Sequence, residues 1–234
     1  MPATIYLIPC VLAENAAETI PAYVINAVKN CQILYAENER TARRFFKMMD
    51  KNIVIDEYEW HTIQKMEEEQ LPQFITHIKT NKNIAIISEA GCPGIADPGQ
   101  KLIAAAQRLG CIVKPLVGPS SITLALMASG MNGQQFEFVG YLPIDNGERI
   151  KKIKELEASS IKQNSTKIFI ETPYRNNQLV DALTKTCADK TLLCIAVNIT
   201  ADIESIETKT IAEWKIKMPE LHKQPAIFLL YSGI

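Results

Sequence analysis

Residues 88–99 read SEAGCPGIADPG, opening on the last residue of the apolar run IAIIS at 84–88. A run that short and apolar reads as a strand buried on both faces. The twelve residues 88–99 hold three glycines, two prolines and two acids, a composition that stops both helix and strand. In open parallel sheets, ligands lie beyond the carboxyl ends of the strands, and this loop falls there. Glycine lets backbone approach a ligand closely, and proline keeps the loop pre-organised. The helical stretch GQKLIAAAQRL (99–109) follows, so Asp97 reads as its N-cap and Pro98 as its first helical residue. A loop that only connects strand to helix is the competing reading.

Outward from this loop, strand and helix patterns alternate. TIYLI (4–8), QILYA (32–36), NIVIDEY (52–58), IAIIS and CIVKPL (111–116) read as strands. Between them, residues 16–29 put Ile20, Tyr23, Val24 and Ala27 on one helical face, and 39–49 put Ala42, Phe45, Phe46 and Met49 on another. Residues 62–79 repeat the pattern with Ile63, Met66, Phe74 and Ile78, interrupted at Pro72. This order predicts an α/β domain over 1–117, a parallel sheet flanked by helices. Further strands are expected at FEFVGYL (136–142), KIFIET (167–172), TLLCIAV (191–197), SIETKTI (205–211) and AIFLLYS (226–232). The last three have little helix between them and predict antiparallel pairing. Residues 118–234 therefore read as a second α/β domain with a mixed sheet, separated from the first near Gly118-Pro119.

Two more strand ends carry the same loop chemistry. VGPSSITLAL (117–126) turns at Gly-Pro and opens a helix with Ser120 and Ser121; IFIETPYR (168–175) ends in an acid, a hydroxyl, a proline and an arginine. Three such loops predict a ligand cleft between the domains.

Composition narrows the function. The chain has 234 residues, 47% of them hydrophobic, and a formal net charge of −1. A general attraction to nucleic acid or acidic membrane is not expected, and RNA would need a local basic patch. Arg40, Arg43, Arg44 and Lys47, and the segment ERIKKIK (148–154), are the two candidate patches. MPATIYLIPC has no cationic leader and no apolar run reaches membrane length, so a cytoplasmic protein is expected. The six cysteines form no CxxC pair and read as reduced, buried thiols. His61, His77 and His222 are far apart and read as packing or surface residues, with no metal. Neither GxGxxG nor GxxxxGK[ST] occurs.

The loop sequences resemble the tetrapyrrole methylase superfamily, within it the branch that methylates a cytidine 2′-hydroxyl in small-subunit ribosomal RNA. The resemblance rests on YAENERTARRFF (35–46), SEAGCPGIADPG, PLVGPSSITLALMASG (115–130), FEFVGYLP (136–143) and ETPYR (171–175), in order along the chain. The chain departs from that branch at IPCVLAEN (8–15), at Cys92, where the branch has threonine, and at CIAVNITADIES (194–205).

The resemblance implies two α/β domains with S-adenosylmethionine in the cleft between them, and a homodimer. It implies cofactor contacts from Pro9, Cys10, Gly91, Cys92, Pro93 and Ile95, from Ser120, Ser121 and Ile122, from Glu171 and Thr172, and from Ala226 and Ile227. It implies catalytic candidates Glu37, Arg40, Glu89, Asp97 and Arg175 on the acceptor side. Apolar Phe45, Phe46, Met48 and Met49 are compatible with a partner surface. The arginine-bearing segments favour RNA as acceptor. A tetrapyrrole or other small molecule, and a cofactor-binding module without catalysis, are the alternatives.

Overall fold

The structure is a computed structural model that describes residues 3–63 and 67–233. The chain divides into two compact units, Met1–Ser120 and Ser121–Ile234, and both are α/β.

The first unit holds β1 (Thr4–Ile8), α1 (Tyr23–Lys29), β2 (Ile33–Ala36), α2 (Glu39–Met49), β3 (Glu59–Thr62), α3 (Leu71–Lys79), β4 (Ile84–Ile87), α4 (Gln100–Arg108) and β5 (Ile112–Pro115). Its sheet runs β3-β2-β4-β1-β5 with every pair parallel. Period-two alternation sends Leu34, Ala36, Ala85 and Ile87 to one face, against Val24, Val28, Phe45 and Phe46. Ile33, Tyr35, Ile84 and Ile86 go to the other, against Phe74, Leu102 and Ala106. Both faces are covered, which is why β2 and β4 are apolar throughout. Burying each such large side chain contributes about 1.5–3 kcal/mol.

Several elements differ from their sequence pattern. Residues 52–58 are not a strand. The Lys47 ammonium donates to the Ile53 carbonyl at 2.7 Å, the Trp60 indole donates to the Ile55 carbonyl at 3.0 Å, and 55–57 form a 3-10 turn. Those carbonyls are taken by side chains, so the ladder beside β2 begins only at Glu59. The 16–29 pattern splits at Pro21 into a 3-10 turn and α1. The 62–79 pattern yields its start to β3, and α3 opens at Leu71 with Pro72 in its first turn, where a missing amide costs nothing. Met66 of that pattern lies outside the described residues. Asp97 does not cap α4; Gly99, with φ of 114°, is the N-cap, so the loop runs two residues further than the Asp-Pro signal implied.

The second unit holds α5 (Ser121–Ser129), β6 (Phe136–Tyr141), α6 (Asn146–Gln163), β7 (Thr166–Ile170), α7 (Asn176–Thr186), β8 (Leu192–Val197), β9 (Ser205–Thr210), α8 (Ile211–Ile216) and β10 (Ala226–Tyr231). Its sheet runs β6-β7-β10-β8-β9; β6 and β7 are parallel and the other pairs antiparallel. Phe169, Leu183, Trp214 and Phe228 anchor one continuous core. Among the described residues no helix is long and apolar enough to cross a membrane.

Candidate active site

In the first unit the carboxyl ends of four parallel strands present their loops side by side. The Cys10 amide donates to the Gly91 carbonyl at 2.8 Å, and the Gly91 amide donates back at 3.1 Å. This two-bond bridge ties the loop after β1 to the loop after β4. The Glu37 amide, after β2, donates to the Ile87 carbonyl at 3.0 Å. The loop after β5 closes the group at Gly118, where an added Cβ would lie 2.1 Å from the Pro9 Cβ. Only glycine permits that approach of the chain to Pro9.

The loop 88–99 carries strain as well as composition. Ala96 sits at φ of 63°, in the left-handed region that a non-glycine residue enters at a cost of about 1 kcal/mol.

Three predicted catalytic acids meet here. The Glu89 amide donates to Glu37 Oε2 at 3.0 Å, and the Thr41 hydroxyl donates to Glu89 Oε1 at 3.2 Å. Asp97 is half-buried, and its pKa is pushed up from 3.8 to about 6, first by burial, then by the negative charges of Glu37 and Glu89. Arg40 and Arg44 are exposed on α2, and among the described residues neither has an ion pair. The other two cations of that helix are engaged. Arg43 pairs with Glu39 at 2.7 Å and Asp56 at 3.0 Å and lies over the Trp60 ring; Lys47 donates to the Lys51 and Ile53 carbonyls.

A pocket of about 380 Å³ opens beside the acids, lined by residues 10–15, Thr41, Arg44, Phe45, Met48, Glu89 and Ala90. It is large enough for a small-molecule-sized group. It includes Cys10 of the predicted cofactor residues and Glu89 of the predicted catalytic ones. Sequence reasoning did not single out Leu12–Asn15, Thr41 or Met48 as site residues, because no composition signal marks them.

The predicted cofactor residues of the first unit, Pro9, Cys10, Gly91, Cys92 and Pro93, lie in the bridged loops, with Ile95 exposed. The Cys92 thiol points at the Pro119 carbonyl, 3.5 Å away. Burial pushes the Cys10 thiol up to about 12 and raises Cys92 as well. Both stay protonated at neutral pH and are poor nucleophiles. The residues therefore fit a sulfonium cofactor: neighbouring carboxylates suit its charge, and neither thiol competes for an alkyl group.

In the second unit, Ile227 pairs with Ile170 and Ala226 with Val197, so the start of β10 lies against the strand end that carries Glu171 and Thr172. Ser121 and Ile122 open α5, which packs on β10. Arg175 is in this unit, apart in the chain from the acid trio. It is not a free cation: its Nε and Nη2 donate to buried Glu171 at 3.0 and 2.6 Å, and the Thr172 amide donates to the same oxygen at 2.6 Å.

Three further expectations are corrected. Phe45 and Phe46 are buried in the first unit's own core, which leaves Met48 as the exposed residue of that helix face. In ERIKKIK, Arg149 is buried and donates to the Ile144 carbonyl and Asn146 Oδ1, so that segment is not a uniform basic patch. His61 and His77 are not isolated; both reach Glu59.

Comparison with known proteins agrees with this layout. A family model described as Tetrapyrrole (Corrin/Porphyrin) Methylases matches residues 16–215. The chain is 30% identical over 209 residues to "Ribosomal RNA small subunit methyltransferase I" of Bacillus subtilis, covering 89% of this chain and 68% of that protein. It is 29% identical over 201 residues to the protein of that name in Micromonospora olivasterospora, covering 86% of this chain and 61% of the relative. Against the Buchnera aphidicola protein of that name it is 27% identical, covering 98% and 78%. Among solved structures, the methyltransferase CobJ superposes with a TM-score of 0.64 at 15% identity, covering 99% of this chain and 94% of that one. A uroporphyrin-III C-methyltransferase from Thermus thermophilus, complexed with S-adenosyl homocysteine, superposes at 0.55 and 14% identity, covering 99% and 98%. The chain belongs to the tetrapyrrole (corrin/porphyrin) methylase family.

Proposed function

We propose that this protein is a methyltransferase that uses S-adenosylmethionine to methylate a ribose 2′-hydroxyl of small-subunit ribosomal RNA. The observation that carries the reading is that the segments after the neighbouring strands β2 and β4 carry a half-buried carboxyl with pKa near 6 and, on α2, two arginines without ion pairs. The names of the sequence relatives support it. When bound, S-adenosylmethionine supplies a methyl group activated by its sulfonium charge. Pro9, Cys10, Gly91, Cys92, Pro93 and Ile95 would hold it from the first unit. Ser120 continues that set, and Ser121, Ile122, Glu171, Thr172, Ala226 and Ile227 would hold it from the second.

Asp97 is the proton acceptor for the hydroxyl. A group with pKa near 6 is largely ionised at pH 7 and still basic enough to take a proton as the oxygen loses it. Burial, and after it repulsion from Glu37 and Glu89, keeps it there. Arg40 and Arg44 bind the RNA backbone, and the pocket between 10–15 and α2 receives the acceptor nucleotide. The protein acts in the cytoplasm as a homodimer, which light scattering would show as a mass near twice 26.1 kDa.

The test is transfer of labelled methyl from S-adenosylmethionine to small ribosomal subunits that lack the modification, with a porphyrinogen as parallel acceptor. Label in the RNA is expected. Label only in the porphyrinogen would assign a tetrapyrrole acceptor, and cofactor binding without transfer to either would leave a binding module.

A further inference from the structure

The second constellation of reactive side chains lies on β3 and α3. Glu59 and His61 stand two residues apart on β3 and so share one face of the sheet. His77 is on the inward side of α3 and buried. His77 Nε2 lies 3.0 Å and His61 Nε2 3.1 Å from the same oxygen, Glu59 Oε1. The ligand atoms of all three residues lie within 4.8 Å of one another.

Two imidazoles converging on one carboxylate oxygen is more order than packing needs. In a tetrahedral zinc site with bonds of about 2.0–2.2 Å, neighbouring donor atoms stand about 3.3–3.6 Å apart. The two nitrogen-to-oxygen separations of 3.0 and 3.1 Å need to spread only by a few tenths of an ångström to admit an ion, and the two imidazole nitrogens already stand within 4.8 Å of each other. The surroundings hold the ligands in place. The hydroxyl of Tyr35, itself fully buried, lies 3.1 Å from His77 Nδ1. That contact fixes the ring with Nε2 turned to the cluster, whichever of the two partners carries the proton. The Tyr35 ring also stacks on His61 at 4.9 Å between centroids. Lys82, an exposed side chain, reaches the other oxygen, Glu59 Oε2, at 3.4 Å, which leaves Oε1 to the imidazoles. Glu59 is half-exposed, so the cluster is open on one side to water as a fourth ligand.

We propose that Glu59, His61 and His77 form a binding site for a divalent transition metal of the zinc class. Two imidazole nitrogens and one carboxylate oxygen are a donor set that suits Zn²⁺. The ion clasps β3, the four-residue edge strand of the first sheet, to α3. This site is separate from the acid trio and does not depend on the methyltransferase reading.

The experiment uses the full, untagged chain, stripped with a chelator, dialysed, kept reduced, and titrated calorimetrically with ZnCl₂. Co²⁺ titration in parallel reads tetrahedral coordination from visible absorption. One saturable equivalent is expected, with the cobalt spectrum of a four-coordinate site. His61→Gln and Glu59→Gln should each weaken binding at least tenfold, and Tyr35→Phe about tenfold by freeing the His77 ring. His77 is buried, so the test does not rely on a variant there that fails to fold; circular dichroism of the other three confirms they are folded. Absence of saturable binding overturns the proposal. So does binding left unchanged by His61→Gln and Glu59→Gln, which would place the ion elsewhere on the chain.

Discussion

Two acids stand just past the ends of buried strands, one in each unit, and they are treated in opposite ways. Glu171 follows β7, is buried, and is met by two nitrogens of Arg175 and by the Thr172 amide. Asp97 lies in the loop after β4 beside two more carboxylates, which add to burial in pushing its pKa up to about 6. The first charge is neutralised by its neighbours within the fold. The second is kept close to changing protonation, as the proposed proton acceptor needs. The same contrast runs along α2, where Arg43 and Lys47 are engaged within the fold and Arg40 and Arg44 are not.

The sharpest way to break this contrast is to remove the cation that serves Glu171. Arg175→Ala strands a buried carboxylate and should lower the unfolding free energy by about 2–3 kcal/mol, below the range for a fully buried pair because Arg175 is partly exposed. Chemical denaturation of the variant measures it. A loss under about 0.5 kcal/mol would mean that the pair is ornamental.

Asp97→Asn should act in the opposite direction. The carboxyl's folded pKa is above its ordinary 3.8. Its ionised form therefore carries a penalty that is complete above about pH 6, shrinks as pH falls through 6, and is gone below about pH 4. After discounting for solvent, the variant should be more stable than wild type by about 1–2 kcal/mol at pH 8, with no advantage at pH 4. Denaturation midpoints at the two pH values test both the sign and the window. An advantage that is equal at both would assign the effect to something other than ionisation.

On α2, Arg40→Ala with Arg44→Ala should weaken RNA binding and flatten the slope of log K against log salt by about 0.7–0.9 for each phosphate that the variant no longer neutralises. Arg43→Ala should leave that slope near wild type, because its charge is already met by Glu39 and Asp56. Filter binding across salt concentrations separates the two variants. The smallest effect is at Ala96: Ala96→Gly removes the left-handed strain and should raise stability by about 0.5–1 kcal/mol, read as a higher melting temperature.

Much of this was legible in the sequence, and the reasons are local. IAII in β4, ERTARRFFKMM in α2 and AIFLLY in β10 declare themselves by period and length. The loop 88–99 declares itself by glycine and proline. What was not legible depends on partners distant in the chain. NIVIDEY has a strand's composition, and only Lys47 and Trp60 show why its carbonyls are taken. Asp97-Pro98 has a cap's composition, yet the helix starts at Gln100. The meeting of His61 with His77 is hidden by their separation in the chain, because a strand edge and a helix bring them to one carboxylate. Arg149 counts as basic in the sequence and is spent inside its own helix start.

The most direct test of the central claim is the pH profile of methyl transfer to small ribosomal subunits under single-turnover conditions. Wild type should show an acid limb with an apparent pKa near 6, the value that burial and the neighbouring acids give Asp97. Asp97→Asn should lose that limb and fall in rate by about 10²–10⁴-fold, the worth of a general base. A variant that keeps the limb and transfers methyl at close to the wild-type rate would contradict the role of Asp97 and the reading of the strand-end acids built on it.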